Sequence, residues 1–342
     1  MNARVTALRE QAHRRILSLD ADLLAFLALA CIKGVGFKTL VAIAAAETRF
    51  ADVIAIDEQD DAIELLRRFG ARIDGTRGND WRHVREQAIE RAGRLAEALA
   101  NDGISFVART DPRFPKALFE LSSPPHWLFV KGSVEVLERP SLAIVGTREP
   151  SEDGRWLGGF IGGCLLHWAA PTVSGLALGI DQLVHEWSLR ANVPTIAVLG
   201  TGILSDFPKG TAQLRDKIVD AGGTLVTEYL PRESYSADNF VRRNRLQAAL
   251  GRVLIPIEWN SRSGTAHTVR FATALRRPIA CLRMPDWPQD RVVLTTGCGE
   301  ETGRIFTVPG EESELRAYTA HGLSLTIPEP RRKRQLPLFT DR

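Results

Sequence analysis

The chain has 342 residues, 44% of them hydrophobic and 25% charged, with 28 glycines and 18 prolines. This ordinary globular composition excludes collagen-like, mucin-like and wholly disordered chains and leaves room for about two domains with a sizeable core. The formal charge of +3 is too small to mark a nucleic-acid binder by itself, so such a role has to come from local clusters of basic residues. Cys31, Cys164, Cys281 and Cys298 form no CxxC pair; this fits buried thiols in a reducing cytosol and argues against a zinc site. No apolar run reaches transmembrane length. Arg4, Arg9, Glu10, His13, Arg14 and Arg15 come before any apolar stretch, so no secretory signal is read. A cytoplasmic location with no membrane contact is the expectation, and neither a metal nor a cofactor is expected.

Residues 1–75 read as a helical domain. The apolar run Leu23–Ala30 leads into Ile32-Lys33-Gly34-Val35-Gly36, and two glycines between apolar helical segments suggest a helix-hairpin-helix (SAM-like) turn. Backbone N–H groups in such a turn can hold a phosphate; a plain packing module fits equally. Residues 76–140 read as a linker helix and lead-in strands. Residues 75–83 form a loop, and Val84, Ala88, Ala92, Leu95 and Leu99 share one helical face. Gly103 closes that helix, and two short strands follow at Ile104–Val107 and Trp127–Val130.

From residue 141 to 310 short apolar runs alternate with helical patterns. They begin near Leu142, Thr172, Thr195, Thr224, Val253 and Ile279, at intervals of about 30 residues, the length of a βαβ unit. Apolar strands without alternation are buried on both faces. The segment is therefore α/β, a doubly wound, Rossmann-like parallel sheet with its ligand site at the carboxyl ends of the strands. Residues 311–342 are proline-broken and basic and read as a disordered tail.

Several loops follow strands and converge on one rim. They are Gly146-Thr147-Arg148; Ser174-Gly175 running on to Asp181; Gly200-Thr201-Gly202 with Phe207-Pro208-Lys209; and Ser263-Gly264-Thr265. Small residues let backbone amides approach an anion, and each loop opens a helix whose N-terminus favours negative charge. Such a set points to a phosphate-bearing ligand. Phe240, Arg242, Arg243, Asn244 and Arg245 lie between the fourth and fifth strands. Three arginines beside an aromatic suit a nucleic-acid backbone with one stacked base. His185 falls four residues after Asp181 on one helical face; a metal or acid–base pair is one reading, and a helix N-terminus capped by Asp181 is the other. His267 is placed at the rim, Cys281 and Cys298 are read as buried, and Trp156 and Trp168 are read as packing residues.

Residues 104–283 resemble the DNA-processing protein A (DprA/Smf) family. The resemblance rests on Asp111-x-x-Phe114-Pro115, Pro124-Pro125-x-x-Leu128-Phe129 and Ala143-Ile144-Val145-Gly146-Thr147-Arg148. It continues through Ser174-Gly175-Leu176-Ala177-x-Gly179-Ile180-Asp181-x-x-x-His185, Thr195–Gly202, Glu228, Phe240-x-x-Arg243-Asn244-Arg245 and Ser263-Gly264-Thr265. It implies an extended Rossmann fold, a homodimer, a basic pocket for single-stranded DNA, and loading of RecA recombinase onto that strand in natural transformation or recombination. The implied DNA-binding set is Gly146, Thr147, Arg148, Ser174, Gly175, Lys209, Phe240, Arg242, Arg243, Asn244, Arg245, Ser263, Gly264 and Thr265. The chain departs from the family pattern at Val241, where proline is usual, at Met284-Pro285-Asp286, where Pro-Gly is usual, and in lacking a clear winged helix.

Two other functions share this fold pattern. A nucleotide phosphoribohydrolase-like enzyme needs a glutamate where Thr268 stands, so its acid–base carboxylate is missing. A nucleotide-sensing or anti-phage variant of the same fold stays open. A non-enzymatic DNA-binding role is preferred. Gln335-Leu336-Pro337-Leu338-Phe339 is similar to the bacterial sliding-clamp-binding pentapeptide, with Leu338 and Phe339 as groove anchors and Gln335 as the polar one; the alternative is a latch on the protein's own surface.

Overall fold

A computed structural model describes residues 21–73, 80–288 and 303–326. It places nine strands in one sheet: β1 (Ile104–Ala108), β2 (Trp127–Gly132), β3 (Ser141–Gly146), β4 (Thr172–Ser174), β5 (Thr195–Val198), β6 (Thr224–Thr227), β7 (Gly251–Ile257), β8 (Ile279–Arg283) and β9 (Gly303–Thr307). Their order across the sheet is β1-β2-β6-β5-β4-β3-β7-β8-β9. All pairs from β6 to β9 are parallel, while β1–β2 and β2–β6 are antiparallel. The six strands expected from the apolar runs form the central parallel block. The lead-in strands extend the same sheet rather than bridging two bodies.

The strands are apolar throughout because both faces are covered. In β3, Leu142 and Ile144 pack on one side with Val253, Ile255 and Ile257, whereas Ala143 and Val145 face the other with Val173, Val198 and Leu254. The first side carries α6 (Glu152–Trp168), α7 (Ile180–Arg190), α8 (Ala212–Asp220) and α11 (Glu312–Ser324); the second carries α9 (Ala237–Leu250) and α10 (Gly264–Ala274). Residues 312–324 form helix α11, where a disordered tail was expected. Its Leu315 and Thr319 are fully buried, and Trp168 Nε1 donates to the Arg316 carbonyl at 3.2 Å, so the helix is anchored by two buried side chains that its charged neighbours mask in sequence. The segment 335–339 lies outside the described residues.

The N-terminal helices are α1 (Ala21–Cys31), α2 (Phe37–Ala45), α3 (Phe50–Ile54), α4 (Gln59–Arg68) and α5 (Trp81–Asn101). Asp80 caps α5 by accepting from the Arg82 N–H at 3.1 Å. These helices share a core with the sheet. The fully buried Phe26 ring lies 4.7 Å from Trp127 and 5.1 Å from Phe50, and Phe37 lies 5.1 Å from Tyr229. The Gly34 turn is spent on packing, its carbonyl accepting from the Arg72 N–H at 2.9 Å.

The chain winds outward from β3 to β6. It then crosses back through α9 to enter β7 on the opposite side of β3. The switch point of the sheet is therefore the gap between β3 and β7, where open α/β sheets hold their ligands.

Candidate nucleic-acid interface

At this switch point lies a cavity of about 470 Å³, lined from the end of β3 by Val145, Gly146, Thr147 and Arg148. The first turn of α10 contributes Ser263, Gly264, Thr265 and Thr268, and α9 with its approach contributes Tyr235, Ala237, Phe240, Val241, Arg243, Asn244 and Gln247. Ala177 and Asp181 complete it.

The loops hold one another in place. Gly179 has φ +81°, and a β-carbon there would meet the carbonyl oxygens of Arg148 and Thr147 at 2.4 and 2.5 Å. Only glycine lets the β4–α7 loop lie flat against the β3–α6 loop, where Ile180 N–H donates to the Thr147 carbonyl at 3.0 Å. Thr265 Oγ1 donates to the Gly146 carbonyl at 3.0 Å, tying α10 to the end of β3. Ser263 occupies the N-cap of α10 without a side-chain capping bond. Its hydroxyl donates instead to the Asn260 carbonyl at 2.7 Å. The Ala266 N–H returns to the Ser263 carbonyl at 3.1 Å, and the N–H groups of Gly264 and Thr265, residues of the cavity lining, receive no side-chain cap from Ser263, a setting that favours an anion.

Beneath the cavity runs a buried polar layer. Arg243 is 3% exposed and donates through Nη1 to the Val198 carbonyl at 2.8 Å. Gln247, with its amide oriented to satisfy both ends, accepts from Arg243 Nη1 at 3.1 Å and from Gly175 N–H at 2.9 Å, and donates to Asn244 Oδ1 at 3.0 Å. Asn244 Nδ2 donates to the Gly264 carbonyl at 3.1 Å. A β-carbon at Gly175 would lie 1.7 Å from Arg243 Nη1 and 2.5 Å from Asp181 Oδ2, so glycine is what leaves room for both charged groups. Burial pushes the Asp181 carboxyl above the usual carboxylate range; the Arg243 guanidinium, the Ser174 hydroxyl and the N–H groups of Gly146 and Ala177 pull it back down. Burial also pushes the Arg243 guanidinium down, with Asp181 opposing and the Arg148 charge adding to the push.

The arginine cluster divides into three roles. Arg243 forms the floor. Arg245 is buried in a bidentate pair with Glu228, at 2.5 and 2.8 Å, and donates to the Ser123 carbonyl at 3.2 Å. Arg242 is half-buried, 3.6 Å from Glu228, with its guanidinium 5.2 Å from the Phe37 ring centroid. The run of charge thus welds α9 to the end of β6 and to α2, where the sequence reading had three arginines facing a DNA backbone. Arg148 is exposed at the cavity rim and makes no ion pair among the described residues.

Of the expected set, the cavity brings together Gly146, Thr147, Arg148, Phe240, Arg243, Asn244, Ser263, Gly264 and Thr265. Ser174 and Gly175 are buried behind it, the Ser174 hydroxyl donating to the Ile144 carbonyl at 2.8 Å. Lys209 is exposed on the neighbouring loop, and Arg242 and Arg245 lie outside the lining. Phe240 is 8% exposed and fills the space beside Gly200, which corrects its reading as an open stacking face. Tyr235, which the sequence reading did not single out, is 49% exposed at the same mouth. Its only sequence signal is an aromatic five residues before Phe240.

Asp181 is a buried anchor rather than the cap of α7, whose N-cap is Gly179. His185 is fully buried and bonded through Nδ1 to Thr195 Oγ1 at 2.7 Å; burial, with the Arg243 charge adding, pushes its imidazole down to about 3. His267 contacts Arg270 Nη2 at 3.1 Å and lies outside the cavity lining. Trp156 is 43% exposed, with one ring face stacked on Phe160 at 5.6 Å. Among the described residues no group of three or more His, Cys, Asp or Glu is arranged to hold a metal ion, and no helix is long and apolar enough to cross a membrane.

The fold is that of an α/β protein whose switch-point cavity carries an exposed arginine and a helix N-terminus in its lining. The chain belongs to the DNA recombination-mediator protein A family, whose pattern matches residues 105–301. Protein Smf of Synechocystis is 37% identical over 182 residues, which cover 52% of this chain and 45% of that protein. The X-ray structure of DNA processing protein A from Streptococcus pneumoniae matches with a TM-score of 0.59 and 25% identity, over 86% of this chain and 98% of that one. A DNA processing protein A structure from Helicobacter pylori, described for its single-stranded DNA binding mode, matches with a TM-score of 0.53 and 24% identity, over 63% of this chain and 94% of that one. The chain spans about half the length of the curated relatives it matches.

Proposed function

We propose that this chain binds single-stranded DNA in the cavity at the β3–β7 switch point, and that it acts as a binding module rather than an enzyme. The observation that carries this reading is the meeting, across one cavity, of Arg148, exposed and without an ion pair among the described residues, with the uncapped first turn of α10. A guanidinium on one wall and backbone amides on the other make a cradle for a phosphodiester. Asp181, the carboxylate in the lining, is occupied by Arg243 and backbone N–H groups, and His185 is sealed in the core; neither is placed as a general base. Family membership and the description of the Helicobacter pylori relative support DNA as the polyanion. The same reading extends to protecting the strand, loading RecA recombinase and working as a homodimer.

Fluorescence anisotropy with an oligo-dT and a blunt duplex of equal length tests the reading. The single strand is expected to bind more tightly, with log affinity falling against log salt by about 0.7 per phosphate contact. Arg148→Ala is expected to weaken binding and flatten that slope while the melting temperature stays unchanged. Equal affinity for duplex and single strand, or wild-type binding by Arg148→Ala, refutes it. RecA loading is checked separately, by RecA filament formation on an oligonucleotide coated with single-strand-binding protein.

A further inference from the structure

We infer that a second anion site lies on the rim of the sheet beyond the cavity, where Arg109, His126 and Arg242 meet, and that it holds a later phosphate of the same DNA strand. This rests on the single-stranded DNA reading of the cavity and assigns the direction in which the strand leaves it, toward the N-terminal helices.

The topology puts both sites on one rim. Because β2 runs antiparallel to β6, its first residues lie beside the carboxyl end of β6, and the last residues of β1 lie beside them in turn. Trp127 Nε1 donates to the Glu228 carbonyl at 2.8 Å, and the Arg109 N–H donates to the His126 carbonyl at 2.9 Å. Arg109 and His126 therefore stand at the same end of the sheet as Arg148. From β3 to β2 the rim spans four strand spacings, about 19 Å.

The charges at this end do not balance. Arg109 is half-buried, and its side chain makes no hydrogen bond or ion pair among the described residues. Arg242 has 37% of its side chain exposed; its guanidinium lies 5.2 Å from the Phe37 ring centroid and 3.6 Å from Glu228. Glu228 already gives both oxygens to Arg245. The charges acting on the half-buried His126 are these same groups: burial pushes its imidazole down, Arg109 and Arg242 add to the push, and Glu228 opposes it. Helix α2 meets this floor through an apolar ring, Phe37, 5.8 Å from Trp127. One carboxylate thus faces three guanidiniums, and it is committed to Arg245. A phosphate between Arg109 and Arg242 supplies the missing counter-charge through charge-assisted hydrogen bonds. It also stabilises the His126 imidazolium, which takes one proton from solvent.

Anisotropy with a sixteen-residue and a four-residue oligo-dT, the second too short to reach both ends of the rim, tests the site. In about 0.15 M salt, Arg109→Ala is expected to weaken the sixteen-mer about fourfold and to lower its salt slope by about 0.7, the counter-ion release of one phosphate contact. It is expected to leave the four-mer and the melting temperature unchanged, and Arg109→Lys is expected to retain the sixteen-mer. Affinity for the sixteen-mer is expected to rise as pH falls from 7 to 5.5, because binding favours the imidazolium, and His126→Asn is expected to remove that rise. If Arg109→Ala binds the sixteen-mer as wild type does, if it weakens both lengths equally, or if the pH response survives His126→Asn, the site is overturned. Arg148→Ala separates the two claims. If it weakens both lengths while Arg109→Ala weakens neither, the rim site alone falls. If it weakens neither while Arg109→Ala weakens the sixteen-mer, the cavity reading falls and the rim site stands.

Discussion

Glu228→Gln tests whether the arginine run of α9 is structural. Glu228 is 2% exposed, and its two oxygens receive Nη1 and Nη2 of Arg245, itself 7% exposed at the side chain. A second guanidinium, that of Arg242, lies 3.6 Å away. The amide keeps the shape and removes the charge, so a buried guanidinium loses its counter-ion, and one arm of the glutamine presents hydrogens to a donor. Removing one partner of a buried pair costs about 3–5 kcal/mol. At about 2–4 °C per kcal/mol for a chain of this size, the thermal midpoint is expected to fall by about 6–20 °C. Circular-dichroism melts and urea titrations read the change. Adding Arg245→Met to the same chain is expected to recover most of the loss, because no unpaired charge then remains on that pair. Below its own midpoint, Glu228→Gln is expected to bind oligo-dT like the wild type. A variant that melts within a degree or two of wild type yet binds DNA poorly would refute this reasoning and make Arg245 a DNA contact.

Other consequences follow from the same structure. Gly175→Ala places a methyl group on Arg243 Nη1 and Asp181 Oδ2; overpacking of this kind costs about 1–3 kcal/mol, and both the melting midpoint and oligo-dT affinity are expected to drop. The His185 imidazole titrates near 3 in the folded chain against about 6.5 unfolded. The unfolded state binds the extra proton between those values, so its contribution to stability is lost as pH falls from about 6.5 toward 3. Asp181, pushed up by burial, acts in the opposite sense just above its ordinary value. The measurement is therefore the difference in melting midpoint between wild type and His185→Asn, which is expected to shrink as pH falls from 7 to 5; a constant difference counts against the buried neutral imidazole. A fluorescent peptide of residues 331–342 is expected to bind purified sliding clamp through Leu338 and Phe339, and Leu338→Ala with Phe339→Ala is expected to abolish binding. No binding by the peptide, together with lower thermal stability on deleting the tail, favours a latch instead.

Strand positions and the glycine loops were legible because their physics is local. A continuous apolar run such as Leu142–Val145 needs both faces covered wherever the chain goes, and glycine at a βα turn signals close approach whatever its partner. Burial of charge is not local. Arg243, Arg245 and Arg148 are the same residue type in loops or helices that start at one rim, and spacing alone ranks them alike. What separates them is a partner far along the chain: Glu228 for Arg245, Val198 and Asp181 for Arg243, and no ion-pair partner among the described residues for Arg148. The same logic exchanges the two aromatics. Phe240, inside the family-like motif, fills the space beside Gly200, and Tyr235, outside it, keeps the open ring. Helix α11 was hidden for a related reason, since two buried side chains on a charged helix carry too little periodicity to stand out until β7 and α6 are there to receive them. At this site the motif residues Gly175, Arg243 and Arg245 mark where the chain must be rigid, and Arg148, a residue of the same motif set, is left exposed with no ion-pair partner among the described residues.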